Sequence, residues 1–531
     1  MSISTSTTLG GGNVIAEFDT RCGEAYAPSA EVLLDEAPGD FFAPARAAFA
    51  GTIAWLEGVQ AAGLEHGDLE ERLQIDVREL TRLGLQGHLD LRAEQEARVA
   101  VTGAEGVRRG CMETGRRRPL LSVFGPVVVM RSAYRAKGHR NLCPADASLN
   151  LPVEAHSHGL RRVSAIEAAR GSYDDTLAAI QRATGQVVGK RQVEQLAQRA
   201  AVDFDGFYAA RQTAGDFGDA LILSCDGKGV VMRHDALRPA TRRQAAGAST
   251  KLKTRLSKGE KRNRKRLAEV GAVYEITPIA RTAADVMPAD QAQRDAAITA
   301  PVAKNKWLTA SVLNDAASVI GQVFAEADRR DPEHDRDWVA LVDGNNHQIQ
   351  RIQAEAAARE VQVSVVVDFI HVIEYVWKAA WSFHNEGDPA AELWVRKHAQ
   401  QILNGHATKV AGQIRRQATN AGLDLTARAG ADTAAKYLTN KAPYLDYPTA
   451  LANGWPIATG VIEGACRHLV KDRMDITGAR WGLPGAEAIL KLRAIITNGD
   501  FDEYWTHHLT QEHQRNHASR YAANTIPTTP L

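Results

Sequence analysis

Apolar residues recur at helical spacing in two stretches near the start of the chain, Ala43 to Gln60 and Leu69 to Arg98. In the second, Leu69, Leu73, Val77, Leu80 and Leu91 mark one face while Glu, Arg and Asp fill the other. This predicts an amphipathic helix whose stripe suits either core packing or self-association. The pattern turns β-rich at Arg118–Arg135, RPLLSVFGPVVVMRSAYR, where Gly125-Pro126 separates two apolar runs and predicts a hairpin. Helical spacing returns over Ser172–Arg199 as two short helices, the first ending at Thr184-Gly185 and the second starting near Gly189.

From Asp219 the pattern is mixed. Strands are predicted at Ala220–Ser224, Gly229–Arg233, Val273–Thr277, Trp338–Val342 and Val363–Val367, with helices at Leu308–Ala327 and Gln348–Arg359. After His371 the spacing is helical again, before the block GWPIATGVIEGACRHLVKDRMDITGARWG and a final helix near Ala486–Ile496. The expected organisation is a helical, self-associating region over 1–110, a small β-hairpin region over 111–160 and a helix pair over 161–212. An α/β core follows over 215–372, then helices over 373–455 and a closing part of the core over 456–531.

Composition narrows the class without naming a chemistry. A chain of 531 residues usually divides into two to four domains. Its 64 basic and 63 acidic residues exclude a uniformly basic coat but leave room for local patches. Five scattered cysteines fit a reduced, cytoplasmic setting. The N-terminus reads as no signal peptide, and no apolar run approaches the roughly 20 residues that span a bilayer.

Three carboxylates then stand out. Asp226 ends ALILSCD, Asp343 ends WVALVD ahead of Gly344, Asn345 and Asn346, and Glu463 sits in TGVIEGACRHLVKDR. A carboxylate at a central strand end projects at the rim of a sheet, where neighbouring strand ends converge. Magnesium prefers such hard oxygen ligands and takes only a few from the protein. Two ions about 3.5–4 Å apart activate an attacking oxygen and stabilise a leaving one. A helix over Val461–Arg473 would put Glu463, Arg467 and Lys471 on one face at i, i+4 and i+8, two cations beside one carboxylate; a routine solvated ion pair reads the same way.

The order of strands, acids and helices resembles the ribonuclease-H-like fold of DDE transposases. DGKGV (226–230), VDGNNHQI (342–349), VVVDFIHVIEY (365–375) and the Glu463 block resemble bacterial insertion-sequence transposases of the ISKra group, with Mutator-like and ISL-type relatives. That resemblance runs from about Asp219 to the C-terminus, more weakly from Arg118. It implies a multidomain α+β protein, with a ribonuclease-H-like α/β core interrupted by an all-α insertion and preceded by helical and helix-turn-helix-like regions. It also implies metal-dependent DNA cleavage and strand transfer at element ends. Asp226, Asp343 and Glu463 would hold Mg2+ or Mn2+, two ions in all. Asp368 and His371, in Asp-Phe-Ile-His, match an auxiliary motif that follows the second acid.

The DNA partner is expected to be double-stranded terminal repeat and target, bound by a homodimer or larger oligomer. Two short helices with Lys190 and Arg191 opening the second resemble a helix-turn-helix. Between the second and third strands, KLKTRLSKGEKRNRKR carries nine basic residues against one acidic: Lys251, Lys253, Arg255, Lys258, Lys261, Arg262, Arg264, Lys265 and Arg266. Such a run beside a phosphoryl-transfer site would release counterions from a duplex. Arg467 and Lys471 suit phosphate oxygens, and Trp377 and Trp381 at i, i+4 offer either a base-stacking surface or core packing. Cys143, His156 and His158 offer zinc ligands without the tight spacing of a zinc motif, so a plain loop is the alternative. His513 and His517 read as a surface helix end. The rival functions are a structure-specific nuclease of the same fold and a non-enzymatic helix-turn-helix regulator.

Overall fold

The computed structural model describes residues 39–211, 219–247, 264–476 and 478–530. The chain divides into two compact units, 1–91 and 92–531. In the first, α1 (Ala43–Leu56) precedes α2 (His66–Glu94), a helix that runs on past the boundary. Pro44 in the first turn of α1 lacks only an N–H that no helical carbonyl would have used. The predicted stripe is imperfectly covered, with Val77 half exposed, and Ile75, outside that stripe, is exposed as well.

The second unit opens with the hairpin, β1 (Cys111–Leu121) and β2 (Pro126–Arg135), paired antiparallel from Cys111↔Arg135 to Leu121↔Pro126. A satellite core of Val99, Val101, Tyr134, Leu142, Ala147 and Tyr521 fixes this hairpin to the end of the chain. Three helices follow: α3 (His158–Arg170), α4 (Tyr173–Thr184) and α5 (Lys190–Ala200). The α4–α5 pair lies where the spacing predicts it. Ser172 and Asp175 cap α4 reciprocally, and Gly185 ends it in the left-handed region at φ 71°. Helix α6 (Phe204–Ala210) leads to the sheet.

That sheet holds β3 (Ala220–Val231), β4 (Lys265–Ile276), β5 (Lys304–Ser311), β6 (Asp337–Val342) and β7 (Val363–Val367). The strand order is β5-β4-β3-β6-β7, with β4 antiparallel to its neighbours β3 and β5, and β6 and β7 parallel to β3. Helices α7 (Ala316–Arg330) and α8 (Asn346–Ala358) connect the parallel strands. The rest is helical: α9 (Phe369–Ala380), α10 (Pro389–Leu403), α11 (Ala407–Asn420), α12 (Ala429–Lys441), α13 (Tyr447–Ala452), α14 (Gly460–Ala465), α15 (Leu483–Asn498) and α16 (Phe501–Asn516). The 92–531 unit is therefore mixed α+β with a mixed five-stranded sheet, and one core joins that sheet to the helices around it. Among the described residues no helix is long and apolar enough to cross a membrane.

Four expectations are corrected. First, β3 does not stop at Asp226. It runs on through Asp226-Gly227-Lys228-Gly229 because β4 pairs with it residue by residue as far as Val231↔Lys265. Second, Leu308 lies in β5, not in a helix; an Asp315 cap starts α7 only at Ala316. Third, Val461–Arg473 is not one α-helix: α14 passes at Cys466 into a π-helix over Cys466–Lys471. Fourth, the His507–His517 region is no surface helix end. His508 is fully buried, with Nδ1 2.7 Å from Asp203 and Nε2 3.0 Å from Arg161, and His517 is also buried.

Candidate active site at one end of the sheet

Strand register places three aspartates together. β3 and β6 pair in parallel from Ala220↔Asp337 to Leu223↔Ala340. Carried on, that register sets Asp226 level with Asp343, each six residues further along. β6 and β7 pair as far as Val342↔Val367, and the next residues are Asp343 and Asp368. Asp343 and Asp368 thus follow neighbouring strands that lie about 4.8 Å apart where they pair, and Asp226 falls level with them on β3, three residues past its last pair with β6.

Side chains alternate across a sheet, which separates Asp226 from its neighbour. Cys225 pairs with Gly271, whose open side faces Val319 and Val323 of α7. Asp226 points the other way and meets Cys466, whose thiol donates to Oδ2 at 3.3 Å. Its Oδ1 accepts from the Gly227 amide at 2.6 Å. Gly227 and Gly229 leave no open rim: a Cβ there would strike Leu267 and Lys265 side chains at 2.7 and 2.8 Å.

Asp343 accepts from the Asn345 amide at 2.8 Å, turning the chain into α8. Gly344 takes φ +92°, and a Cβ there would lie 2.8 Å from the Tyr437 hydroxyl. That hydroxyl donates to the Asp343 carbonyl at 3.2 Å, and its ring stacks on Tyr375 at 3.8 Å. Buried Lys441 donates to Asn346, and burial lowers its ammonium pKa against the pull of Asp343.

Asp368 is buried and caps α9, accepting from Ile370 N at 2.9 Å and from the Thr459 hydroxyl at 2.5 Å. Burial raises its pKa despite those two bonds, and the nearby Glu463 charge adds to the rise. Thr459 precedes α14, and its oxygen also lies 3.2 Å from Glu463 Oε1. One hydroxyl proton serves one acceptor at a time. The shorter contact gives it to Asp368, leaving exposed Glu463 the freer carboxylate.

The remaining predicted residues divide. His371 faces Tyr375 and Tyr437 and lies 3.5 Å from Glu374, away from the three aspartates' hydrogen bonds. Arg467 and Lys471 are exposed like Glu463, although the π-turn breaks the i, i+4 ladder between them. Trp377 and Trp381 stack at 5.1 Å; Trp377 packs on the core and Trp381 is 45% exposed. Lys190 pairs with Asp174 at 2.5 Å, and Arg191 is exposed at the start of α5. Arg266 is anchored to the Val312 carbonyl at 2.6 Å, and Lys265 with Arg266 opens β4 beside the Arg264 turn. Lys251, Lys253, Arg255, Lys258, Lys261 and Arg262 lie outside the described residues. His158 bonds the Asn150 carbonyl at 2.8 Å and Cys143 is a free, half-buried thiol.

The donor set bears directly on a cation. Asp226, Asp343, Asp368 and Glu463 form no ion pair with Lys, Arg or His among the described residues, and the Lys441 ammonium is the cation that feels the Asp343 charge. Their oxygens suit a hard divalent ion. Yet among the described residues no three His, Cys, Asp or Glu side chains form a ready-made metal cage. Asp226 and Glu463 are turned toward Cys466 and Thr459 instead. The residues fit a hard divalent ion in type and charge. Thr459, Tyr437, Lys441 and Cys466 were not singled out from sequence. Only Thr459 and Cys466, flanking Gly-Val-Ile-Glu, carried a positional signal.

Family models give no match to this chain, and comparison with curated proteins gives none either.

Proposed function

We propose that this protein is a metal-dependent DNA transposase of the DDE type, cutting and joining phosphodiesters with Asp226, Asp343 and Glu463. The observation that carries the reading is the parallel register of β3 with β6, which when extended sets Asp226 level with Asp343, with the Glu463 helix held against Asp226 through Cys466. The strand order β5-β4-β3-β6-β7, with the second strand antiparallel, supports a ribonuclease-H-like core. Helices α10 to α13, between α9 and α14, are then an all-α insertion.

Mg2+ or Mn2+ held by the three carboxylates would supply charge stabilisation at the scissile phosphate. The chain itself positions. Gly344 and Tyr437 set where Asp343 projects, and Thr459 holds Asp368 more closely than it holds the exposed Glu463. Arg467 and Lys471 stand exposed beside Glu463, available to phosphate oxygens. Arg191 at the start of α5, Trp381 and the basic 251–266 segment extend the DNA contact. Exposed Phe49, Val59, Ile75 and Val77 of the N-terminal unit are among the apolar contacts available for a homodimer or larger assembly.

The test is strand transfer in Mg2+ using a duplex that carries the DNA flanking the coding region. Asp226→Asn, Asp343→Asn and Glu463→Gln each reduce joined product to background while DNA binding persists. Full joining by any of them overturns the assignment. Cleavage without joining points to a nuclease, and binding with neither reaction points to a regulator.

A further inference from the structure

A second feature of the 92–531 unit is a cavity of about 360 Å³ beside the β1–β2 hairpin, lined by Arg116, Arg118, Arg131, Arg140 and Arg520 with Asp146 among them. Asp146 is already committed, holding Arg118 at 2.7 Å and Arg131 at 2.6 Å. Arg140 and Arg520 pair with no carboxylate among the described residues. Arg116 and Arg131 are direct cross-strand partners, each offset by its own carboxylate, Glu113 at 3.1 Å and Asp146 at 2.6 Å, which leaves Arg140 and Arg520 as the cavity's unpaired cations among the described residues. Burial, then the charge of Arg140 and Arg118, draws the Arg520 guanidinium below its usual range.

The walls are held in place. The Arg520 carbonyl accepts from Ala104 N at 2.9 Å, and Ala522 N donates to the Thr102 carbonyl at 3.1 Å. The satellite core beneath includes Tyr134, Leu142 and Tyr521. These guanidiniums are therefore presented by a fixed scaffold, the condition under which forked donors hold phosphate oxygens well.

The charge continues outside the cavity. Residues 108–140 contain nine Lys or Arg and a single carboxylate, Glu113, although the whole chain carries 64 basic against 63 acidic. Arg108, Arg117, Arg135 and Lys137 in that stretch are exposed. A small anion would need only the cavity, whereas a basic hairpin running away from it matches an extended polyanion.

We propose that the hairpin and its arginine cavity form a DNA-backbone site, the cavity gripping one phosphate while the exposed hairpin cations follow the strand. This rests on the DNA reading above but uses none of the carboxylate site.

The test measures binding of a random-sequence duplex to the full chain across a salt series. Arg140→Ala/Arg520→Ala should lower the slope of log affinity against log salt by about two, roughly one per phosphate-facing cation. Arg140→Lys/Arg520→Lys should keep most of it. Both residues lie at the surface or part-buried, and unchanged thermal melting confirms the fold. An unchanged slope in the alanine variant overturns the site. Displacement of the duplex by stoichiometric inorganic phosphate also overturns it, marking a small-anion site. Loss of slope with no strand transfer by wild type would sink the proposed chemistry and leave this site standing.

Discussion

The Cys466 thiol donates to Asp226 Oδ2 across 240 residues of chain, tying the Glu463 helix to the central strand. Burial, then the Asp226 charge, pushes this thiol well above its ordinary range, so it keeps its proton. Brief alkylation of the native protein should therefore modify exposed Cys111 and spare Cys466 and Cys225, read by peptide mass spectrometry. Cys466→Ser, which keeps a donor, should cost less stability than Cys466→Ala, whose lost bond is worth about 1 kcal/mol. Rapid labelling of Cys466 would show that the tie is not formed.

Gly344 and Tyr437 should behave as one unit. At φ +92°, Gly344→Ala is strained by about 1–3 kcal/mol before any clash. The Tyr437 hydroxyl adds the clash. Tyr437→Phe should recover part of the loss, so that denaturation of the four proteins gives a double-mutant coupling of about 0.5 kcal/mol or more. Strict additivity would place the hydroxyl elsewhere.

Asp368 gives a pH signature. Its pKa is raised in the fold, so its contribution is present below the unfolded value and is lost as pH rises through the folded one. Wild type should gain stability relative to Asp368→Asn on acidification through the carboxylate range, with the variant at least as stable at neutral pH. Urea midpoints at several pH values decide this; a constant difference would contradict it.

The buried network on α16 titrates in the opposite sense. Burial alone would raise Asp203 and Glu512. Bonds from His508 and Arg515 to Asp203, and from Arg515 and Arg161 to Glu512, outweigh it and hold both at about 2. Lowered carboxylates stabilise above the unfolded pKa of roughly 4, and that stability fades as pH falls toward 2. Arg161→Met removes one of the two arginines on each of Glu154 and Glu512, which keep Arg199 and Arg515, and should cost about 1.5–3 kcal/mol, measured by chemical denaturation.

Where the sequence was legible, one physical rule dominated locally. β6 is a short apolar run buried in a parallel arrangement and β7 a half-buried Val-rich edge strand beside it, and both lie where the pattern predicts. The α4–α5 pair follows its caps. Misreading arose where tertiary pairing overrode local preference. Asp226-Gly227-Lys228-Gly229 are poor strand formers, yet β4 holds them extended. β5 is an edge strand whose polar first half hides its period, so its apolar end read as the start of α7. The buried face of α16 was masked because His508 and Glu512 look like surface residues until Arg161, distant in sequence, is brought against them. Asp343 and Asp368 were legible as strand ends and Asp226 as the close of an apolar run; the hydroxyls and thiol that hold them were not, since Tyr437 carries no pattern of its own.

The long span between Asp226 and Cys466 also sets an order of assembly. During synthesis the three aspartates leave the ribosome well before Gly460, and a chain interrupted between them bears the acids without the helix that completes the set. On the proposed reading, an enzyme that breaks DNA is thereby inert as a fragment, and competence arrives only with its last helices.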